Sequence, residues 1–192
     1  NYRGLYYFEK GNYDLSIANY NKAIEIDPRY ATAYGSRGLA YYSKSNYVHA
    51  ITDYTKAIEI NPQDAAMLVH RGNAYYDTGD YDQAIADYTK SVEINPRIEI
   101  DTRYASAYNS HGLTYCEKRE YDHAIYDFTK AIEIDLRYAT AYHNRGLAYI
   151  EKGDYEEAIA NLSRVIEINP NIEIEIDLRY ASAYNYRGFA YF

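Results

Sequence analysis

Few residues in this chain invite catalytic chemistry: one thiol, Cys116, five histidines, and carboxylates that return at fixed intervals. A nucleophilic cysteine needs a base beside it and a third group to orient that base. Cys116 and His143 fall in neighbouring segments where both could face one groove, yet no third residue is spaced to complete the set, and Cys116 reads as a small filler. His49 and His123 occupy equivalent, solvent-facing places in a helical pattern, while His70, His111 and His143 are scattered. No pair has metal-ligand spacing on one helix. Asn161-Leu162-Ser163 matches a glycosylation acceptor but lies inside a helical pattern and reads as chance. The expectation is a non-catalytic protein with no metal and no cofactor.

The recurring charges point to architecture instead. Arg3, Arg37, Arg71, His111, Arg145 and Arg187 form one column, and Asn19, Asp53, Asp87, Asp127 and Asn161 form another. A half-buried Arg needs a bidentate partner, so an Arg–Asp ladder between adjacent helices is expected. The net charge is −8, with 20 basic residues interleaved among 28 acidic ones. That balance argues against nucleic acid as a partner, because phosphate binding requires clustered Lys and Arg. There is no apolar run of about 18 residues to insert into a membrane. A lone cysteine excludes an internal disulfide but ties the chain to no compartment.

The elements that hold these residues emerge from aligning the chain on itself. Twenty-eight Tyr, no Trp and four Phe signal a repeated unit. Units begin at Ala31, Ala65, Ala105, Ala139 and Ala181, spaced 34, 40, 34 and 42 residues apart. The expected division of residues 1–192 is 1–30 (truncated), 31–64, 65–104, 105–138, 139–180 and 181–192 (partial). Gly4, Gly38, Gly72, Gly112, Gly146 and Gly188 form a column, with Tyr7, Tyr41, Tyr75, Tyr115, Tyr149 and Tyr191 three residues on. A second small-residue column is Ser16, Ala50, Ala84, Ala124 and Ala158.

Apolar residues take helical spacing twice per unit, so each unit is two helices. Between them, Gly11, Gly79 and Gly153 suit a left-handed C-terminal position, and Asn12, Asn46, Asp80 and Asp154 suit N-caps. Asp80 with Gln83 and Asp154 with Glu157 have capping-box spacing. The second helix should stop near Pro28, Pro62, Pro96 and Pro170. Leu136 stands where the fourth copy lacks its Pro, which leaves the turn after Ile134 open.

The pattern Tyr34-x-x-Arg37-Gly38-x-x-Tyr41, then Ala50-x-x-x-Tyr54, Ala57 and Pro62 resembles the tetratricopeptide repeat (TPR) over essentially the whole chain. The resemblance implies an all-α fold: a right-handed superhelical solenoid of antiparallel helix hairpins, five repeats plus a partial sixth. It also implies a concave groove lined by first helices. The matching columns here are Leu5, Leu39, Asn73, Leu113, Leu147 and Phe189, then Phe8, Tyr42, Tyr76, Cys116, Ile150 and Phe192, followed by the carboxylates Glu9, Asp77, Glu117 and Glu151. Such a stripe suits a protein or peptide segment with apolar anchors and basic residues. The basic clamp that some family members use for a C-terminal carboxylate is missing. The alternative is that part of the stripe is core between repeats.

Two copies carry extra residues in one connection. Ile98 and Ile100 lie in the first, and Ile172, Ile174 and Ile176 alternate with Glu in the second. Alternation is a strand signature with one apolar face, which makes these isoleucines assembly candidates; a longer loop packed on its own hairpin is the other reading. NYRGLYYF at 1–8 and NYRGFAYF at 185–192 match at six of eight positions, a super-period of 184 residues. With no initiator Met, the expectation is a piece of a longer block-repeated protein. The function expected is a protein-binding scaffold, and the competing one is a structural repeat protein that self-associates end to end into filaments.

Overall fold

Helical spacing repeated twice per unit produces paired helices throughout. The computed structural model describes residues 2–96 and 102–169. Ten helices fill them: α1 (Tyr2–Glu9), α2 (Tyr13–Ile26), α3 (Ala31–Ser43), α4 (Tyr47–Ile60), α5 (Ala65–Thr78), α6 (Tyr81–Ile94), α7 (Arg103–Glu117), α8 (Tyr121–Ile134), α9 (Ala139–Lys152) and α10 (Tyr155–Ile168). No strand occurs among the described residues. Ile98, Ile100, Ile172, Ile174, Ile176 and Phe189, with the partial unit at 181–192, lie outside them.

The helices fall into two compact units, Asn1–Asp101 and Thr102–Phe192. In the first, α1 to α6 each pack on the next, and α3 also meets α5. In the second, α7 to α10 do the same, and α7 meets α9. Odd-numbered helices are thus the first of each hairpin and even-numbered ones the second.

Close approach inside a hairpin depends on the small columns. Ser16, Ala50, Ala84, Ala124 and Ala158 are all fully buried. A Cβ at Gly72 would sit 2.8 Å from Tyr88 Cε1, inside contact distance, so the Tyr88 ring packs directly on bare backbone. Tyr20, Tyr54, Phe128 and Leu162 fill the same place in the other hairpins.

Helix ends follow the turn chemistry in part. Asn12 Oδ1 accepts from Leu15 N–H at 3.1 Å, and Asn46 Oδ1 from His49 N–H at 3.4 Å. Asp80 and Asp154 make no side-chain cap bond, so neither capping box forms. Gly79 and Gly153 close α5 and α9 at φ 81° and 85°. Ser45 and Arg119 take the corresponding place after α3 and α7 at φ 56° and 62°, a conformation that strains a side chain. Second helices stop two residues before Pro28, Pro62 and Pro96, and α8 stops at the same register before Leu136. There Arg137 N–H donates to Asp135 Oδ1 (2.9 Å) and Tyr138 N–H to Asp135 O (3.0 Å). Asp27 makes the same two bonds to Arg29 and Tyr30. The aspartate therefore builds the turn, and proline is dispensable to it.

Candidate functional site

At Arg37, Arg71 and Arg145 the charged columns meet as expected and do more than pair, whereas Asn19 Nδ2 bonds Leu15 O on its own helix and Arg187 lies outside the described residues. Arg37 grips Asp53 bidentately, Nε to Oδ2 at 2.8 Å and Nη2 to Oδ1 at 2.7 Å, and its Nη1 reaches back to Asn21 Oδ1 at 2.6 Å. Arg71 repeats the grip on Asp87 at 2.8 and 2.7 Å and reaches Thr55 Oγ1 at 3.0 Å. Each guanidinium therefore ties a first helix to the second helices on both sides of it. Arg145 makes the same three-helix link through Asn161 Oδ1 (2.8 Å) and Thr129 Oγ1 (2.9 Å). His111 Nδ1 lies 3.0 Å from Asp127 Oδ2.

The missing carboxylate at position 161 reverses the electrostatics. Hydrogen bonding to Asp53 and Asp87 raises the pKa of Arg37 and Arg71, whereas burial without that partner lowers that of Arg145. Asn21, Thr55 and Thr129 belong to none of the columns recognised from sequence. A signal for them exists, since each lies 16 residues before its Arg as the Asp or Asn lies 16 after.

No described member of the stripe is fully buried, and its columns divide by role. The leucine column is open: Leu5 is 47% and Leu113 43% exposed, and Leu39 and Leu147 are half-buried. The next column packs partly inward. Tyr42 lies against the Ala50–Tyr54–Ala74 cluster, Cys116 against Ala124, Phe128 and Ala148, and Ile150 against Leu162 and Val165. Phe8, Tyr42 and Tyr76 each meet the tyrosine that opens the following helix, at 5.4, 5.5 and 5.7 Å between ring centroids. The stripe is thus open surface in one column and partly core in the next.

Asn73 stands in the leucine column but serves the core, where its Oδ1 accepts from the buried Tyr88 hydroxyl at 2.6 Å. The carboxylates Glu9, Asp77, Glu117 and Glu151 are exposed. Asp77 accepts from Tyr42 Oη, and Glu151 from Tyr121 Oη at 3.4 Å. Lys44 pairs with Asp14, and Lys152 with Asp122 at 2.8 Å, ties between exposed groups that add little stability.

Burial, followed by the nearby Glu151, pushes the Cys116 thiol up, the opposite of what activates a nucleophile. Among the described residues no group of three His, Cys, Asp or Glu side chains is arranged to hold a metal ion. No described helix is long and apolar enough to cross a membrane.

Comparison with known proteins agrees with this geometry. Family models of the TPR repeat match residues 4–45 and 38–79, and tetratricopeptide repeat models match 63–137 and 139–172. No curated protein matches the chain by sequence. The crystal structure of MamA is 28% identical, with TM-score 0.66, over 87% of this chain and 94% of that one. YrrB, a TPR protein with an unusual peptide-binding site, is 23% identical, with TM-score 0.66, over 93% and 88%. The C-terminal part of a TPR repeat-containing protein from Cytophaga hutchinsonii is 23% identical, with TM-score 0.67, over 96% and 70%. Helix pairs of 34 residues, the Gly–Tyr–Ala columns and these matches together place the chain in the tetratricopeptide repeat family.

Proposed function

We propose that the chain is a non-catalytic protein-interaction scaffold whose first helices bind polypeptide segments carrying apolar anchors and basic residues. The observation that carries this is the leucine column: Leu5 in one unit and Leu113 in the other are exposed, and Leu39 and Leu147 stay half-open although Ala40 and Ala148 beside them are buried. An exposed row of apolar side chains is costly to leave in water and marks a contact surface. The exposed carboxylates one turn further on favour Lys or Arg in the bound segment.

Selection from a phage library of random twelve-residue peptides tests this. Enriched peptides should combine Leu or Phe with Lys or Arg, and Leu113→Asp with Leu147→Asp should weaken them at least tenfold. Val48→Asp, on the exposed face of α4, should leave binding unchanged. Enrichment of acidic peptides, no enrichment, or equal loss in the Val48 variant would sink the proposal.

A further inference from the structure

The repeats allow each junction to be compared with its sister, and one junction is open where its sister is filled. Between α7 and α9, the Tyr138 hydroxyl meets Ser106 Oγ at 3.3 Å, and Asn144 Nδ2 donates to Asn109 Oδ1 at 2.9 Å. Tyr138 also packs on Ala105, Ala131, Ile132 and Ala141. The same register between α3 and α5, 74 residues earlier, holds Asp64 for Tyr138, Thr32 for Ser106, Gly35 for Asn109 and His70 for Asn144. Tyr30 and Tyr104 occupy the place of Asp64 in other repeats, so Asp64 is the exception in its column. The Tyr138 ring and the Asn109 amide have only Asp64 and Gly35 as counterparts, and although His70 is larger than Asn144 and Met67 stands for Ala141, a cavity of about 130 Å³ remains, bounded by these residues with Leu39.

Leu39 belongs to the open leucine column, so the cavity adjoins the surface proposed above for polypeptide binding. Its chemistry is mixed in a definite way. Leu39 and Met67 supply apolar wall, with Met67 Sδ folded over bare Gly35. Asp64 supplies the one charge. Its Oδ1 caps α5 by accepting from Met67 N–H at 3.2 Å, so Oδ2 is the oxygen not engaged by the cap. A carboxylate with one oxygen already engaged favours a point-charge ammonium over the two-pronged fork of a guanidinium, which is best met by two equivalent oxygens. At ~30 Å³ per water-sized group, the cavity takes about four or five such groups, the size of a Lys side chain. Burial lowers the pKa of His70, so its ring is neutral at pH 7 and does not repel a cation.

We propose that the cleft between α3 and α5 is a subsite for a lysine side chain of a bound polypeptide, with Asp64 as its counter-charge. This rests on the groove reading and adds to it a specificity-determining residue.

Titration of the whole chain with n-butylammonium, read by NMR at the Met67 methyl and the His70 ring, tests the assignment. The cation should shift both signals with millimolar affinity, and n-butanol at least fivefold more weakly. Asp64→Asn keeps an N-cap and the cavity but removes the charge, and should weaken the cation at least fivefold while leaving Tm nearly unchanged. Asp64→Tyr restores the sister residue and should abolish both shifts. Equal response to butanol, an unaffected Asp64→Asn variant, or no shift at these residues would overturn the proposal. Phage selection at Leu113 and Leu147 reads the groove separately, so either idea can fail while the other stands.

Discussion

Removing one hydroxyl from two tyrosines at the same place in neighbouring repeats should change stability in opposite directions. Tyr54 and Tyr88 are both completely buried against their glycines. Tyr88 donates to Asn73 at 2.6 Å; Leu39 stands where Asn73 would serve Tyr54, and Tyr54 Oη is buried with no hydrogen-bond partner. A buried hydroxyl without a partner costs about 1–3 kcal/mol, and a satisfied one contributes about 1 kcal/mol. Tyr54→Phe removes the cost and keeps the ring, so it should stabilise by roughly 1 kcal/mol. Tyr88→Phe loses the bond and strands the half-buried Asn73 carbonyl, so it should destabilise by about 1–2 kcal/mol.

Urea unfolding of the two variants reads this as midpoint shifts of opposite sign at constant slope. Leu39→Asn provides the control, because it installs the missing acceptor. In that background Tyr54→Phe should turn from stabilising to destabilising, a coupling a double-mutant cycle isolates. Midpoints that fall in both single variants would refute the reasoning.

Asn161→Asp should raise Tm, since it gives Arg145 the carboxylate grip that Arg37 and Arg71 have; with desolvation offsetting part of the gain, a net of about 1 kcal/mol is expected. Ser45→Gly and Arg119→Gly should each stabilise by about 1 kcal/mol by relieving positive φ, additively in thermal unfolding because the sites lie in separate hairpins. Burial depresses the pKa of His70 in the folded state while Asp64 opposes the shift, so the unfolded chain takes up the proton first as pH falls. The His70 contribution is therefore flat above about pH 6.5 and erodes stability below it, and His70→Asn should make a stability-against-pH curve shallower there.

Much of the fold was legible because it is written several times over. A glycine alone says little, but Gly4, Gly38, Gly72, Gly112 and Gly146, each with an aromatic or Leu 16 residues on, encode one close contact five times. The Arg–Asp grip was legible for the same reason, and its third partners follow the same 16-residue step. Less legible was whatever depends on one side chain's choice between two neighbours. Asn73 shares spacing with Leu39 and Leu113, and only the ring of Tyr88 beside it decides that it serves the core. Asp80 and Asp154 have the sequence of capping residues without making the bonds, while Asp64, in a column of tyrosines, does cap.

These exceptions carry more information about function than the columns they break. A repeat protein must keep its shared residues to stack at all, so those residues are fixed by folding and distinguish no partner. Departures come in two kinds. Some are matched locally: Tyr88 has Asn73 as its acceptor, and Phe128, which needs none, has Leu113 at that position. Others are left unmatched. Tyr54 beside Leu39 is an unsatisfied hydroxyl that confers nothing visible, whereas Asp64 beside Gly35 opens a charged cleft next to the leucine column. The two meet at His70, which lines the cleft and on which Tyr54 of α4 stacks at 5.7 Å between ring centroids. The unsatisfied hydroxyl and the charged cleft therefore meet at one residue, as expected where binding rather than stability sets the residues.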